Sequence, residues 1–529
     1  MICLAVGLLY LGFLSSRYNF DGTVFALRVE RALNLGDRNS LGELLHPRHL
    51  LYEPMGYLFC GLARALGLKF RTVFLLQVMD LCFGLAALAL LHQLNFRLYR
   101  HRLLAGASTL VLAFSFGFWF FAIEAEVYVP GAFFLILAFH YLIGPTYPEP
   151  PARAWTRAAL VLALLGALAV LNHVTLGLFL IPLGLEALLY LRRSRTSWTT
   201  GLLPALLFSI IALGLVGAAY LGASQLHPFA RAWGLVQWFL GPANPNTPYG
   251  YQMNYWSVSL RAFPDFGRGW LHTFLAAPYP DPRHGIPLVL KISWLVIWGT
   301  VLGLYLRNCF RLFQKETRLH LLFLGWLIPY GLWTWLWQAN NFELKIALLP
   351  PLLLWGGWVL AREQERSGKS WPAGLFAILA AILLLYNLTA AVLPGADAKN
   401  NSDLQAAQRI TQLTEPDAVI FIAGSGPGYN LGKIYIPYFA RREVKVMDWA
   451  LGFAAEPFPA ALESELGRLR GAGRPVYVLS ELLQPGPPLE ALGRHHRLQP
   501  EAIAQFFQDH RPRLVASLNS HLALFKLEP

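Results

Sequence analysis

Apolar stretches approaching 20 residues, about the length that crosses a bilayer, recur along the first 393 positions. They lie near 1–16, 72–94, 103–121, 128–146, 157–172, 174–191, 201–223, 286–306, 321–337, 346–361 and 373–393, which predicts about 11 transmembrane helices. The stretch 53–68 is apolar as well. Arg64 within it and Lys69 and Arg71 beside it predict a helix lying on the membrane surface. From about position 394 the pattern changes. Short β-like runs (418–423, 443–447, 475–480 and within 514–526) alternate with helical stretches (459–470 and 500–510), as in a small α/β domain. The expected architecture is a polytopic α-helical membrane domain over 1–393, with outer loops 17–71 and 224–285. A soluble extracytoplasmic α/β domain follows over 394–529.

Composition sharpens this picture. Of 529 residues, 56% are hydrophobic and 14% charged, against about 25% charged in soluble domains, which excludes an ordinary cytosolic enzyme. The formal charge of +13 would suggest a nucleic-acid partner in a soluble protein. Here the basic residues gather in alternate connections (95–102, 192–200, 307–320 and 361–371), the mark of cytoplasmic loops, and no nucleic acid is expected. The same rule turns loop 17–71, the turn 122–127, loop 224–285, loop 338–345 and the C-terminal region outward. No Lys or Arg precedes the first apolar run, which argues against a secretory signal peptide. Cys3, Cys60, Cys82 and Cys309 are too far apart to give a disulfide framework or a zinc spacing.

The polar residues with chemical potential fall on the outward side. Asp21 stands just after the first span, beside Gly22; its structural alternative is an N-cap. His46-Pro-Arg-His49-Leu-Leu-Tyr52-Glu53-Pro-Met-Gly56-Tyr57 forms a rigid loop. His46, His49 and Glu53 could bind a metal with Asp21, but a hydrogen-bonded loop without metal is the better reading. Glu124 and Glu126 sit in a short aromatic turn, Phe118 to Tyr128, and carboxylates there are costly unless they face a polar cavity. Asn172-His173 occupies another tight turn. Glu343 and Lys345 follow a run of tryptophans, where a lysine either meets a lipid-linked phosphate or snorkels. In loop 224–285, aromatic and amide groups suit sugars, and Arg261 and Arg268 suit phosphate. Asp80 lies inside the second span and reads as a polar contact between helices. The Gly424-Ser-Gly426-Pro-Gly428 loop has the wrong spacing for a dinucleotide fingerprint and reads as a tight turn.

With these residues in hand, the chain resembles the glycosyltransferase C superfamily. Within it, the chain is most similar to the polytopic membrane O-mannosyltransferase-like family, which uses polyprenyl-phosphate sugars. The resemblance rests on Asp21, on His46, Pro47, Gly56 and Tyr57, and on Phe118, Trp119 and Ala125-Glu126-Val127-Tyr128. Asn172-His173, the stretch 417–424 and Val444-Lys-Val446 add to it. It departs from the family at Val24 and Phe25, where a second acidic residue is common, and in the longer interval from His-Pro to Gly-Tyr.

The resemblance implies transfer of a mannose-like sugar from a polyprenyl phosphate to an acceptor hydroxyl on a protein, lipid or glycan, with inversion. It also implies an integral protein of a bacterial inner membrane, in contact with membrane lipid and with its active site outside the cytoplasm. No cofactor is expected, and a divalent metal is left open. A hydroxyl acceptor needs a base, for which Asp21 is the choice. The departing phosphate needs cations, for which Lys345 with Arg261 or Arg268 are candidates. Glu126 orients the acceptor or the sugar, and His173 contacts sugar or phosphate. His46, His49, Tyr57, Glu124, Tyr128 and Glu343 complete the expected binding set, converging on one outward pocket. A lipid-linked-saccharide transporter would share the cavity without needing a base. A non-catalytic scaffold would place its activity in residues 394–529.

Overall fold

The computed structural model describes residues 2–143, 152–182, 184–185, 198–240, 262–279, 285–424, 426, 428–447, 458–496 and 498–528. The chain divides into two compact units: Met1–Ser15 with Arg28–Phe239 and Met253–Ala396, and Ser16–Leu27 with Leu240–Gln252 and Asp397–Pro529.

The first unit is helical throughout its described residues. Five helices are long and apolar enough to cross a membrane: Thr72–Tyr99, Leu206–Leu226, Leu288–Gln338, Glu343–Ser367 and Trp371–Ala396. Arg102–Phe114 and Phe116–Ala122, bent by 66° at Ser115, make a sixth if taken as one span. The expected count of about 11 is thus not confirmed among the described residues. Ile2–Gly12, Tyr128–Ile143 and Arg157–Asn172 are shorter apolar helices. The stretch after His173 opens as a 3-10 turn, Val174–Phe179. Of the two spans expected on either side of 307–320, Leu288–Gln338 holds two helices that meet at a kink at Glu316 (φ −133°, ψ 42°), where Tyr305 Oη lies 2.8 Å from His320 Nε2 on the other side of the kink. The surface segment expected over 53–68 is the 14-residue helix Tyr52–Ala65.

A large apolar core runs through this unit, with Trp119, Trp326 and Trp358 among its fully buried side chains, and a smaller cluster gathers Leu50, Tyr220 and Trp238. Tyr10 stacks on Trp119 with ring centroids 5.5 Å apart, and its hydroxyl donates to the Ala113 carbonyl. The bend at Ser115 leaves a helix end inside the core, where an unpaired carbonyl is costly. Asn387, fully buried, answers this. Its amide donates to the carbonyls of Phe114 (2.8 Å) and Phe274 (2.7 Å) and accepts from the Ala276 N–H (2.9 Å).

In the second unit, strands β1 (Val419–Ile422), β2 (Glu443–Val446), β3 (Val476–Leu479), β4 (Pro512–Ser517) and β5 (Ala523–Leu527) form one sheet in the order β2-β1-β3-β5-β4. The first three pair in parallel, and β5 runs antiparallel to both β3 and β4. β1 and β3 are buried along their whole length, as expected of strands covered on both faces. Leu462, Leu466 and Leu469 of helix Phe458–Gly471 and Phe507 of helix Pro500–Asp509 pack with Phe421 and Val478.

Candidate active site

The best-connected polar cluster lies in the first unit, around the turn between Phe116–Ala122 and Tyr128–Ile143. Glu124 and Glu126 are buried there, at 0% and 3% exposure. Carboxylates reach such positions only when polar groups meet them. Asp80, on helix Thr72–Tyr99 and fully buried, holds the backbone of this turn. Its Oδ2 accepts from the Tyr52 hydroxyl (2.8 Å) and from the Glu126 backbone N–H (2.6 Å). Gly56 sits close against the same helix: a Cβ there would lie 2.6 Å from Leu76 Cδ2, so that side chain would have to shift.

From this turn the network extends in two directions. The Asn172 amide donates to the Val127 carbonyl (2.6 Å), and the His173 ring lies 5.5 Å from the Tyr128 ring. His173 Nδ1 meets Thr175 Oγ1 at 2.6 Å, and Thr175 in turn meets the Tyr330 hydroxyl at 3.0 Å. On the other side, the Tyr128 hydroxyl donates to Glu343 Oε2 (3.0 Å), and the Asn341 amide donates to the same oxygen (3.3 Å). Lys345 is fully buried. Its ammonium donates to the carbonyls of Ala339 and Asn341, both at 2.8 Å, so two of its three N–H donors hold the end of the preceding helix.

The histidine loop is stitched alongside. Val174 N–H donates to the Arg48 carbonyl and Leu51 N–H to the Leu171 carbonyl, each at 2.9 Å. His46 and His49 meet edge to face, 4.0 Å between ring centroids. Burial, and secondarily Arg28 and Arg48, hold the His46 imidazole well below its usual range. Burial and then the His46 ring do the same for His49. Both are neutral at pH 7. Glu53 pairs with Arg28 at 2.9 Å. Among the described residues no three His, Cys, Asp or Glu side chains are placed to hold a metal ion.

Glu124, Glu126, Tyr128, His173, Glu343 and Lys345 are thus brought together, with His46 and His49 on the adjoining loop. Tyr57 is half-buried on helix Tyr52–Ala65 and joins none of these bonds. Arg268 is exposed and pairs with Asp265 at 3.2 Å, and Arg261 lies outside the described residues. Asp21 belongs to the second unit. It is exposed in the first turn of helix Phe20–Leu35. It is not the N-cap: Asn19 Oδ1 accepts the Gly22 N–H at 2.8 Å. Sequence reasoning gave Asp80, Tyr52 and Thr175 no place in the site. An Asp inside an apolar span was the available signal for the first; for the other two there was none.

In the second unit, Gly424 and Gly426 take positive φ, +95° and +81°, a backbone that favours glycine. The buried Glu481 carboxylate accepts the N–H groups of Ala423 and Gly428, both at 2.9 Å.

Residues 63–199 match the family model described as Protein O-mannosyl-transferase TMEM260 N-terminal domain. Among curated proteins no match was found. ArnT from Cupriavidus metallidurans in the apo state aligns over 99% of this chain and 96% of its own, at 12% identity and a TM-score of 0.64. The same protein bound to undecaprenyl phosphate gives 0.63, again at 12% identity and over 99% of this chain and 96% of its own. The Archaeoglobus fulgidus oligosaccharyltransferase in complex with Zn and sulfate gives 0.53, at 13% identity over 97% of this chain and 71% of its own. The chain shares its fold with these solved structures.

Proposed function

We propose that the chain is a membrane glycosyltransferase that moves a mannose-like sugar from a polyprenyl phosphate to an acceptor hydroxyl, with inversion, on the outer face of the membrane. One observation carries this reading. The Glu124–Tyr128 turn, within the residues matching the O-mannosyl-transferase model, is buried and bonded to Asp80, Asn172 and Glu343. A scaffold or a simple solvated turn needs none of this.

In the reaction, the acceptor oxygen forms a bond to the anomeric carbon as the bond from that carbon to the phosphate oxygen breaks. The acceptor proton passes to the Asp21 carboxylate. The polyprenyl phosphate leaves as an anion and needs cations rather than a proton. Lys345, through its third N–H, and Arg261 or Arg268 supply them. Glu126 and His173 orient the sugar or the acceptor. The low polarity around the buried carboxylates strengthens each such contact relative to water.

The test is incubation of purified protein with a panel of polyprenyl-phosphate sugars, scoring release of polyprenyl phosphate. One donor should turn over. Asp21→Asn should abolish transfer with unfolding behaviour unchanged, and Glu126→Gln should lower it strongly. No release from any donor would overturn the reading, and near-normal turnover by Asp21→Asn would remove Asp21 from the base role.

A further inference from the structure

At the far end of helix Thr72–Tyr99, a cavity of about 390 Å³ opens among Arg97, Arg100, Arg362, Glu316 and Glu365. From Asp80 to Arg97 the helix rises about 26 Å, so this cavity is separate from the cluster around Glu126. The reaction gives it no task.

Its charges are unevenly paired. Arg362 is held by both carboxylates: Nε lies 2.6 Å from Glu316 and Nη1 2.7 Å from Glu365. That triad carries a net negative charge of one. Arg97 and Arg100 face the same cavity and have no carboxylate partner among the described residues, which leaves the cavity one positive charge in excess. The frame is rigid. Tyr99, between the two arginines, is buried, and its hydroxyl donates to the carbonyls of Leu353 (3.0 Å) and Leu354 (3.2 Å). This fixes the helix end against Glu343–Ser367, the helix that carries Arg362 and Glu365. Gly357 permits that contact, since any side chain there would overlap the Tyr99 ring. Trp358 Nε1 donates to Glu316 at 2.9 Å and holds the opposite wall.

Arg100 is informative in itself. It ends the helix in the left-handed conformation (φ 54°, ψ 22°), where Gly is the usual residue. A long cationic side chain is kept at a position whose backbone favours none, and such outliers point to function. The helix of 28 residues is about 42 Å long against a hydrocarbon core of about 30 Å, so one of its ends stands among lipid phosphates. Leu98, Ile143 and Leu319 line the same cavity and offer an apolar wall that a free ion would not use.

We propose that this cavity binds the phosphate of an anionic membrane lipid, with Arg97 and Arg100 as its ligands and Arg362 fixed behind them by Glu316 and Glu365. Guanidinium–phosphate pairs are charge-assisted and directional, which suits a site that must hold one headgroup among many.

The test is calorimetric titration of the full chain in neutral detergent with dihexanoyl-phosphatidylglycerol, dihexanoyl-phosphatidylcholine and inorganic phosphate. Phosphatidylglycerol should bind saturably, and Arg97→Gln/Arg100→Gln should weaken it at least tenfold with the unfolding temperature unchanged. Arg100→Gly should weaken binding while raising the unfolding temperature, because it relieves the left-handed backbone. A purely structural arginine would not separate the two effects. Binding that does not saturate, or that the double substitution leaves intact, overturns the proposal. So does phosphatidylcholine binding as tightly as phosphatidylglycerol. Inorganic phosphate binding as tightly as the lipid would make this an oxyanion site and overturn the lipid assignment.

Discussion

Replacing Asp80 separates its role as a hydrogen-bond acceptor from its shape. Oδ2 receives two buried donors, the Tyr52 hydroxyl and the Glu126 N–H, while Oδ1 has no hydrogen-bond partner. Asp80→Leu strands both donors. At about 1–3 kcal/mol for each buried group left unsatisfied, the expected loss is about 2–6 kcal/mol, reduced by whatever the removal of a buried carboxylate returns. Asp80→Asn keeps an oxygen with two lone pairs at the Oδ2 position and should cost less than about 1 kcal/mol. Tyr52→Phe removes one donor and leaves the other bond in place, at about 1 kcal/mol. Combined with Asp80→Leu, it should recover part of the loss, because one stranded donor disappears; the pair is non-additive in the sense expected of contacting residues. Thermal unfolding of each purified variant in one neutral detergent gives the ranking, and sugar transfer by the same samples reports on the Glu126 turn. The order should be wild type, Asn, Phe, then Leu. If Asp80→Leu unfolds within experimental error of wild type, Asp80 does not hold the turn and the argument fails.

Three further outcomes follow from particular contacts. Glu481→Ala should destabilise the α/β unit by about 2–6 kcal/mol, since the N–H groups of Ala423 and Gly428 lose their acceptor; Glu481→Gln, with one acceptor oxygen, should lose about half of that, read as earlier proteolysis of residues 397–529. Burial pushes the Glu415 carboxyl up, but hydrogen bonds from Lys526 and Tyr477 outweigh it and hold the group at about 2, against an ordinary 4.5. Its contribution is therefore present above pH 4.5 and lost as the pH falls toward 2, and Glu415→Gln should flatten the acid limb of the unfolding curve across that window. Gly357→Ala should cost about 1–3 kcal/mol by overpacking against Tyr99, and Tyr99→Phe in the same chain should not relieve it, because the ring itself is in the way.

Much of the architecture was legible because long apolar runs and the later α/β alternation are local signals. The errors have local causes as well. Arg307, Arg311, Lys315 and Arg318 read as a loop, yet the break between the two helices is confined to a kink at Glu316: Arg307 pairs with Glu363 at 2.6 Å and Arg318 donates to the Leu142 carbonyl, so charges on both sides of the kink are met while the chain stays helical up to it. The run 514–526 read as a single strand region is a hairpin, closed by Asn519, whose Oδ1 accepts the N–H groups of His521 and Leu522. That Asn was a usable turn signal. In the candidate site, two carboxylates among aromatics pointed to Glu124 and Glu126, which the structure buries. The bond from Asp80 to Glu126 spans 46 residues and leaves no trace in any local pattern. The role of capping residue went to Asn19 because an Asn two positions before Asp21 reaches the helix N–H groups first.

Asn387 has a consequence for how the chain is made. Its bond to the Phe114 carbonyl joins residues 273 positions apart. At synthesis rates of about 5–20 residues per second, the bent helix around Ser115 waits about 14–55 s after emerging before its own terminator exists. Over that interval a bare carbonyl must stay at the lipid surface or be shielded by the insertion machinery. The early helices can therefore enter the bilayer in order but cannot lock, and the last apolar helix closes the bundle like a pin through a hinge.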